Sequence, residues 1–438
     1  MQEIRVLEKA DVVLTHSVLF NKAQQVARAA QKLGGRALLV GGYVRDALLN
    51  LSPKDADMEV YGLEAGALRQ MLSRLGRVNC VGESFRVYKL VWHDRNERHE
   101  LDVSLPRRDR KTGVGHRGFE VEGDPNASFE DAARRRDFTI NAILCDPLSG
   151  EIIDPFGGRA DLHNRVLKAV DAAHFAEDSL RVLRAMQMAA RFEMTIDRDT
   201  IALCRSIDLN DLPHERIWSE WEKMLLKSAR PSLGLRAAHE LRVLEKLFPA
   251  LETTVEREGE NVCRTLDKAA EGKRDLLYEK QVTLMLAALS IRKRDNAETL
   301  LDLFGLKTLN NYDVRAQVAA ILSDEATPRE FSARRENVSD GELRRVATRC
   351  EPKLLYHLAR AQGDVEAAEW FIAKMRELGV ENGPPAPLLM GRHLLEMGMK
   401  PGPRIGEITR AVYELQLDGD ITNEDEAKAA AQRMTDET

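Results

Sequence analysis

Three short stretches of this chain carry residue types and spacings suited to phosphate and metal chemistry. The first is Leu39-Val-Gly-Gly-Tyr-Val-Arg-Asp46, followed nine residues later by Asp55-Ala-Asp57. It reads as strand, glycine turn and helix start, where Gly41 and Gly42 let a phosphate approach the backbone and the helix offers free N–H groups. Arg45 falls in the first helical turn, within reach of the same phosphates. Asp55 and Asp57 stand two apart on an expected strand, so their carboxylates share one face and repel unless a divalent cation lies between them. Mg²⁺ takes one or two protein carboxylates plus substrate phosphates, which this pattern offers. An Asp-x-Asp pair alone is common in solvated turns; its spacing from the glycine motif makes it specific.

Asp102, in Leu101-Asp-Val-Ser-Leu-Pro106, sits in an apolar strand. It reads either as an edge-strand carboxylate or as a third member of the acidic group. Arg134-Arg-Arg-Asp-Phe-Thr-Ile-Asn-Ala142 places Arg136 and Asp137 at the mouth of an apolar element, suited to a triphosphate or ribose. Glu177-Asp-Ser-Leu-Arg-Val-Leu-Arg184 is expected on a helix, with Asp178 and Arg181 neighbours at i and i+3 and Arg184 continuing the row. Such spacing most often means a helix salt bridge. It can also form a flat edge that accepts from an exocyclic amine and donates to ring acceptors, reading cytosine and adenine but not uracil or guanine.

The elements that must position these residues fall into two regimes. From about residue 36 to 155, short β runs (37–40, 58–61, 86–91, 100–104, 152–153) alternate with turns, and one helix is expected over Tyr43–Leu49. Beyond Phe175 strand signals nearly vanish and amphipathic stripes take over. Leu233, Ala237, Leu241, Leu244 and Phe248 form one such stripe, read as a single helix. Pro384-Pro385 marks a linker, and no fixed-period repeat occurs. The fold class is therefore α+β, a small α/β head followed by all-α domains.

The whole composition narrows the choices further. The 438 residues suggest roughly three domains, and 43% hydrophobic residues support a packed core. A formal net charge of −6 opposes whole-surface nucleic-acid binding, so such binding must use local basic patches. The five cysteines are scattered without a CxxC pair, against zinc ribbons and disulfide frameworks. With no apolar run long enough for a signal or transmembrane helix, the expected location is cytoplasmic.

In order from Leu38 to about Phe192, these stretches resemble the class II tRNA nucleotidyltransferases, the CCA-adding enzymes, with their relatives the bacterial poly(A) polymerases. The resemblance implies a nucleotidyltransferase head at 31–155 after a helical extension at 1–30. A helical neck at 156–230, a body at 231–383 and a tail at 384–438 complete the expected domains. It implies Asp55 and Asp57 as metal ligands, with Asp102 the third catalytic acid. Gly41, Gly42, Arg45, Arg136 and Asp137 would surround the nucleotide's triphosphate and sugar. Asp178 and Arg181, supported by Arg184, would serve as a protein template for the incoming base; at Gln187, where many members carry arginine, no role is carried over. The implied activity is template-independent addition of C and A from CTP and ATP to the tRNA 3′ end with Mg²⁺, releasing pyrophosphate. No membrane or protein partner is expected.

Downstream, Pro231-Ser-Leu-Gly-Leu235, Leu247-Phe-Pro249 and Gly391 to Pro403 are similar to the longer bacterial members, which often carry an HD phosphohydrolase segment. Here its apparent equivalents read Cys263-Arg-Thr265 and Leu289-Ser-Ile-Arg292, without the histidines and aspartate. A metal pair would have no ligands there, so the segment is expected to be structural. Poly(A) polymerases favour a basic pair between the catalytic carboxylates, where this chain has Val81-Gly-Glu-Ser-Phe85. A poly(A) polymerase, weakened by that departure, a partial CCA-adding enzyme and a catalytically silent tRNA-binding adaptor are the alternatives. The basic, glycine-rich interval from Arg107 to Gly118 reads as a mobile loop near the substrate or as a solvated loop.

Overall fold

The computed structural model describes residues 17–53, 55–81, 87–94, 96–111, 119–291 and 294–436. Gly82–Phe85, Arg292 and residues 112–118 of the basic interval lie outside them, as do residues 1–16 of the expected extension. The chain divides into two compact units, residues 1–212 with 240–243, and 213–239 with 244–438.

The first unit is built on a seven-stranded sheet. Its strands are β1 (Arg36–Val40), β2 (Asp57–Tyr61), β3 (Arg77–Val81), β4 (Val87–Asp94) and β5 (Glu97–Ser104), with β8 (Leu144–Cys145) and β9 (Ile152–Ile153) after a separate ribbon, β6 (Arg107–Lys111) and β7 (Phe119–Gly123). The order is β3-β4-β5-β2-β1-β8-β9. Among the described residues of this sheet only β2 and β5 pair in parallel; they are joined through a helix and the antiparallel β3–β4 pair, since parallel neighbours need a long crossover. β1 reads Arg-Ala-Leu-Leu-Val and buries its last four residues, as expected of a central strand. Helix α1 (Val18–Lys32) packs on it with Phe20, Ala23, Val26, Ala27 and Ala30, a three-and-four spacing, and Ser17 caps its start by accepting from the Phe20 N–H.

Four further helices belong to the first unit: α2 (Gly42–Leu48), α3 (Ala65–Ser73), α4 (Phe129–Arg134) and α5 (Gly158–His163). Gly158 must be glycine because a Cβ there would stand 2.1 Å from the Thr139 carbonyl oxygen. α6 (Ala172–Phe175) and α7 (Leu180–Phe192) follow, with ten of the thirteen α7 residues buried.

The second unit is helical apart from one two-residue hairpin among its described residues. Trp221, Phe248 and Phe304 pack edge to face and tilted, with ring centroids 5.0–5.7 Å apart. Near the C-terminus, Leu394, Ile408, Val412, Ile421 and Ala427 share a separate small core. No helix among the described residues is long and apolar enough to cross a membrane.

Three expectations need correction. Asp55 precedes β2 rather than lying on it, because the strand begins at Asp57. Asp178 precedes α7, and Ser179 occupies the cap position, so Asp178 and Arg181 are not two residues of one helix. The stripe from Leu233 to Phe248 is broken: Pro231–Glu240 and Val243–Leu247 are separate helices, interrupted where Arg242 takes a positive φ of 59°.

Candidate active site

The acidic residues converge at the sheet centre. Parallel register sets Asp57 on β2 directly opposite Asp102 on β5, with Asp55 just upstream. Neither Asp55 nor Asp57 takes part in a hydrogen bond or salt bridge among the described residues. Part of Asp57 stays open to solvent, yet the protein crowds its carboxyl. Burial raises its pKa, Arg136 opposes the rise, and Asp102, Asp55 and Glu59 add to it. Burial also raises Asp102, against Lys89, whose Nζ lies 3.8 Å from Asp102 Oδ1. Among the described residues no three His, Cys, Asp or Glu side chains are gathered closely enough to hold a metal by themselves. The donor set fits a hard cation that completes its shell with substrate and water oxygens, since Asp55 and Asp57 repel each other and neither is hydrogen-bonded or ion-paired among the described residues.

Arg136 overhangs this edge. Its Nη2 donates to Glu59 Oε1 at 2.6 Å, and burial, which would lower the guanidinium's pKa, is outweighed by Glu59. Gly41 makes this approach possible. It has φ of 69°, and a Cβ there would meet Arg136 Nη1 at 2.8 Å and Asp57 Oδ2 at 3.9 Å. The glycine thus lets a guanidinium lie against the end of β1, beside the acid. Glu59 was not singled out from sequence, although its place two residues beyond Asp57 on the same strand face was a readable signal.

The remaining arginines are used by the protein itself. Arg45, expected to reach phosphate, is instead buried. Its Nη1 donates to Asn141 Oδ1 at 2.7 Å, its Nε to Asp46 Oδ1 at 2.8 Å, and its guanidinium lies 4.3 Å from the Phe192 ring centroid. Burial lowers its pKa despite Asp46, and its role here is to join α2 to the 139–141 turn and α7. Asp137 is likewise buried. It accepts from Arg184 Nε at 2.7 Å, from Asn141 Nδ2 at 2.8 Å and from its neighbour Phe138 N–H at 2.8 Å. Burial would raise this carboxyl, but these donors hold it below the usual carboxylate range. Asn141 thereby links Arg45 to Asp137, a role visible only once the turn is folded.

Arg181 spans two carbonyls, donating from Nη1 to His174 O at 2.6 Å and from Nη2 to Arg135 O at 2.7 Å. Burial lowers its pKa against Asp137 and Asp178. Asp178 Oδ1 accepts from the Leu180 N–H at 3.1 Å. Gln187 is buried, and its Nε2 has no hydrogen-bond partner among the described residues. Residues 135–137 connect the two groups: the Arg135 carbonyl holds Arg181, Arg136 lies beside Asp57, and Asp137 holds Arg184.

In the second unit, Cys263, Thr265, Leu289 and Ser290 are buried, and the Thr265 and Ser290 hydroxyls have no hydrogen-bond partner.

A family model described as the Poly A polymerase head domain matches residues 37–168, and one described as a probable RNA and SrmB-binding site of polymerase A matches residues 193–254. The Multifunctional CCA protein of Stenotrophomonas maltophilia strain K279a is 42% identical over 221 residues, covering 49% of this chain and 51% of the relative. The protein of that name from Haemophilus ducreyi is 39% identical, covering 49% and 50%. The chain thus spans about half the length of these curated relatives. Among solved structures, the Bacillus stearothermophilus CCA-adding enzyme in complex with CTP aligns with a TM-score of 0.70 at 22% identity, covering 96% of this chain and 99% of that one. The Thermotoga maritima CCA-adding enzyme complexed with tRNA aligns at 0.66 and 20% identity, covering 98% and 100%. These structural likenesses concern the fold; the head-domain model covers the residues of the acidic edge. Residues 37–168 and 193–254 are thus similar to the head and RNA-binding regions of poly(A) polymerases, and about half of the chain is similar to Multifunctional CCA proteins.

Proposed function

We propose that this chain adds C and A nucleotides from CTP and ATP to the 3′ end of tRNA without a nucleic-acid template, releasing pyrophosphate. One observation carries the reading: Asp57 and Asp102 stand in register beside Asp55, and neither Asp55 nor Asp57 is hydrogen-bonded or ion-paired among the described residues. In this reading residues 31–155 are the head, 156–230 the neck, 231–383 the body and 384–438 the tail.

Asp55 and Asp57 would hold Mg²⁺, and Asp102 would support them. Bound there, the ion would acidify the tRNA 3′-hydroxyl and polarise the α-phosphate, the chemistry that in-line nucleotidyl transfer requires. Arg136 offsets part of the carboxylate charge, and its Nη1 lies beside Gly41, close to where a triphosphate would approach. Gly41 and Gly42 keep that approach free of side chains. Asp178 and Arg181 would read the base. For that, Arg181 exchanges a carbonyl contact for a ring acceptor, a trade between hydrogen bonds of similar strength. Asp137 and Arg184 hold the backbone that carries Arg181, and Arg45 fixes α2 against α7.

The test incubates the protein with Mg²⁺, labelled CTP or ATP, and tRNAs ending before, within or after CCA. Addition that stops at CCA supports the proposal. A long A tail indicates a poly(A) polymerase, addition limited to CC or A a partial enzyme, and no incorporation refutes the proposal.

A further inference from the structure

Three strands contribute one residue each to a single row across the sheet. Asp57 on β2 faces its parallel partner Asp102 on β5, and Asp102 faces its antiparallel partner Lys89 on β4. Paired residues on adjacent strands present their side chains on the same face, so the row reads carboxylate, carboxylate, ammonium. Lys89 sits inside Val87-Tyr-Lys-Leu-Val91, where by sequence it is only a polar interruption of a strand.

Its contacts are shared unequally. Lys89 Nζ donates to Glu100 Oε2 at 2.8 Å and stands 3.8 Å from Asp102 Oδ1. Glu100 lies two residues before Asp102 on the same strand face and is also ion-paired with Arg98. An exposed Lys–Glu pair taken alone contributes little. This one differs because the ammonium it restrains is also the direct cross-strand neighbour of Asp102, whose other neighbour is Asp57.

We propose, on the functional reading above, that Lys89 is a positioning residue of the active site. Clamped by Glu100, it draws the Asp102 carboxylate toward β4 and cancels part of the negative charge that the Asp57–Asp102 pair presents to a divalent cation. Glu100 sets how much of that cancellation Asp102 receives. Substitutions at Lys89 and Glu100 therefore move cation affinity in opposite directions, whereas a merely structural pair would damage it in the same direction.

The test is binding of Mn²⁺ alone to the full chain, without nucleotide or tRNA, followed by the electron paramagnetic signal of the free ion. Lys89→Met should tighten binding about threefold or more, Lys89→Arg should leave it as in the wild type, and Glu100→Gln should weaken it. In the Asp102→Asn background the Lys89→Met effect should vanish, since Asp102 is the group through which Lys89 acts. Unchanged binding in Lys89→Met, or an equal shift with Asp102 already replaced, overturns the assignment. Lys89 and Glu100 are both partly exposed, so these variants retain the fold. Turnover is read separately: a wild type that shows these Mn²⁺ shifts but incorporates no nucleotide refutes the functional reading alone. A wild type that binds no Mn²⁺ refutes both.

Discussion

The acidic edge and the arginine face are built from equally charged residues and treated in opposite ways. Asp55 and Asp57 have no hydrogen bond or salt bridge among the described residues, and crowding pushes Asp57 toward its neutral form. A few residues away in space, Arg45, Arg181 and Arg184 spend their donors on Asp46, Asn141, two backbone carbonyls and Asp137. Carboxylates left in conflict hold free energy that a cation can release, whereas satisfied guanidinium groups hold shape. Ligand binding is thus expected to stabilise the first region and to cost the second a rearrangement.

The largest effect that could break this contrast is on turnover. Asp55→Ala should reduce nucleotide incorporation by about a thousandfold or more, on the scale of losing a catalytic electrostatic group, with thermal stability unchanged. A parallel loss of stability would mean that Asp55 has a structural partner. Next in size, Asp137→Ala should cost about 3 kcal/mol in urea unfolding, because it leaves Arg184 and Asn141 without their buried acceptor. A loss below about 1 kcal/mol would place Asp137 with the acidic edge instead.

Smaller, and sharper, is Arg181→Lys. A single ammonium cannot span the His174 and Arg135 carbonyls, so about 1 kcal/mol of stability should be lost. The ratio of CMP to AMP incorporation should change more than the KM for tRNA; an unchanged ratio removes Arg181 from base reading.

The smallest effect separates the two carboxyls by sign. Asp137 has a depressed folded pKa, so its stabilisation is present above the ordinary carboxyl range and is lost as pH falls through the folded value. Asp57 has a raised folded pKa, so its ionisation destabilises the fold at neutral pH, and the penalty fades as pH falls through that value toward the ordinary one near 3.8. In chelator, Asp57→Asn should exceed the wild type in stability at pH 7 by under about 1 kcal/mol, given solvent screening. The margin should close on acidification; a margin that widens contradicts the assignment.

The acidic edge was readable from sequence because local rules place it. Ala37 to Val40 running into two glycines dictates a buried strand and a tight turn, and alternation in β2 and β5 sets Asp57 and Asp102 on polar faces. Register between β2 and β5 was not readable, since a hairpin and a helix intervene. The internal partners of the arginine face were not readable for a related reason. The burial of Arg45 depends on Asn141 and Phe192, each about a hundred residues or more along the chain, and no spacing rule reaches that far. Asp178 and Arg181 have helical spacing, but Ser179 caps the helix between them. Arg242 shows the same limit, because the apolar stripe runs through a position where the backbone turns left-handed.

The account rests on Asp57 being a carboxylate kept for a cation rather than for the fold. The direct measurement is the isosteric Asp57→Asn protein, assayed for transfer of CMP and AMP to tRNA lacking CCA and melted in the same buffer. The account predicts a protein that melts at or above the wild-type temperature and transfers neither nucleotide. Transfer within about tenfold of wild type, or a clear drop in melting temperature, would contradict it.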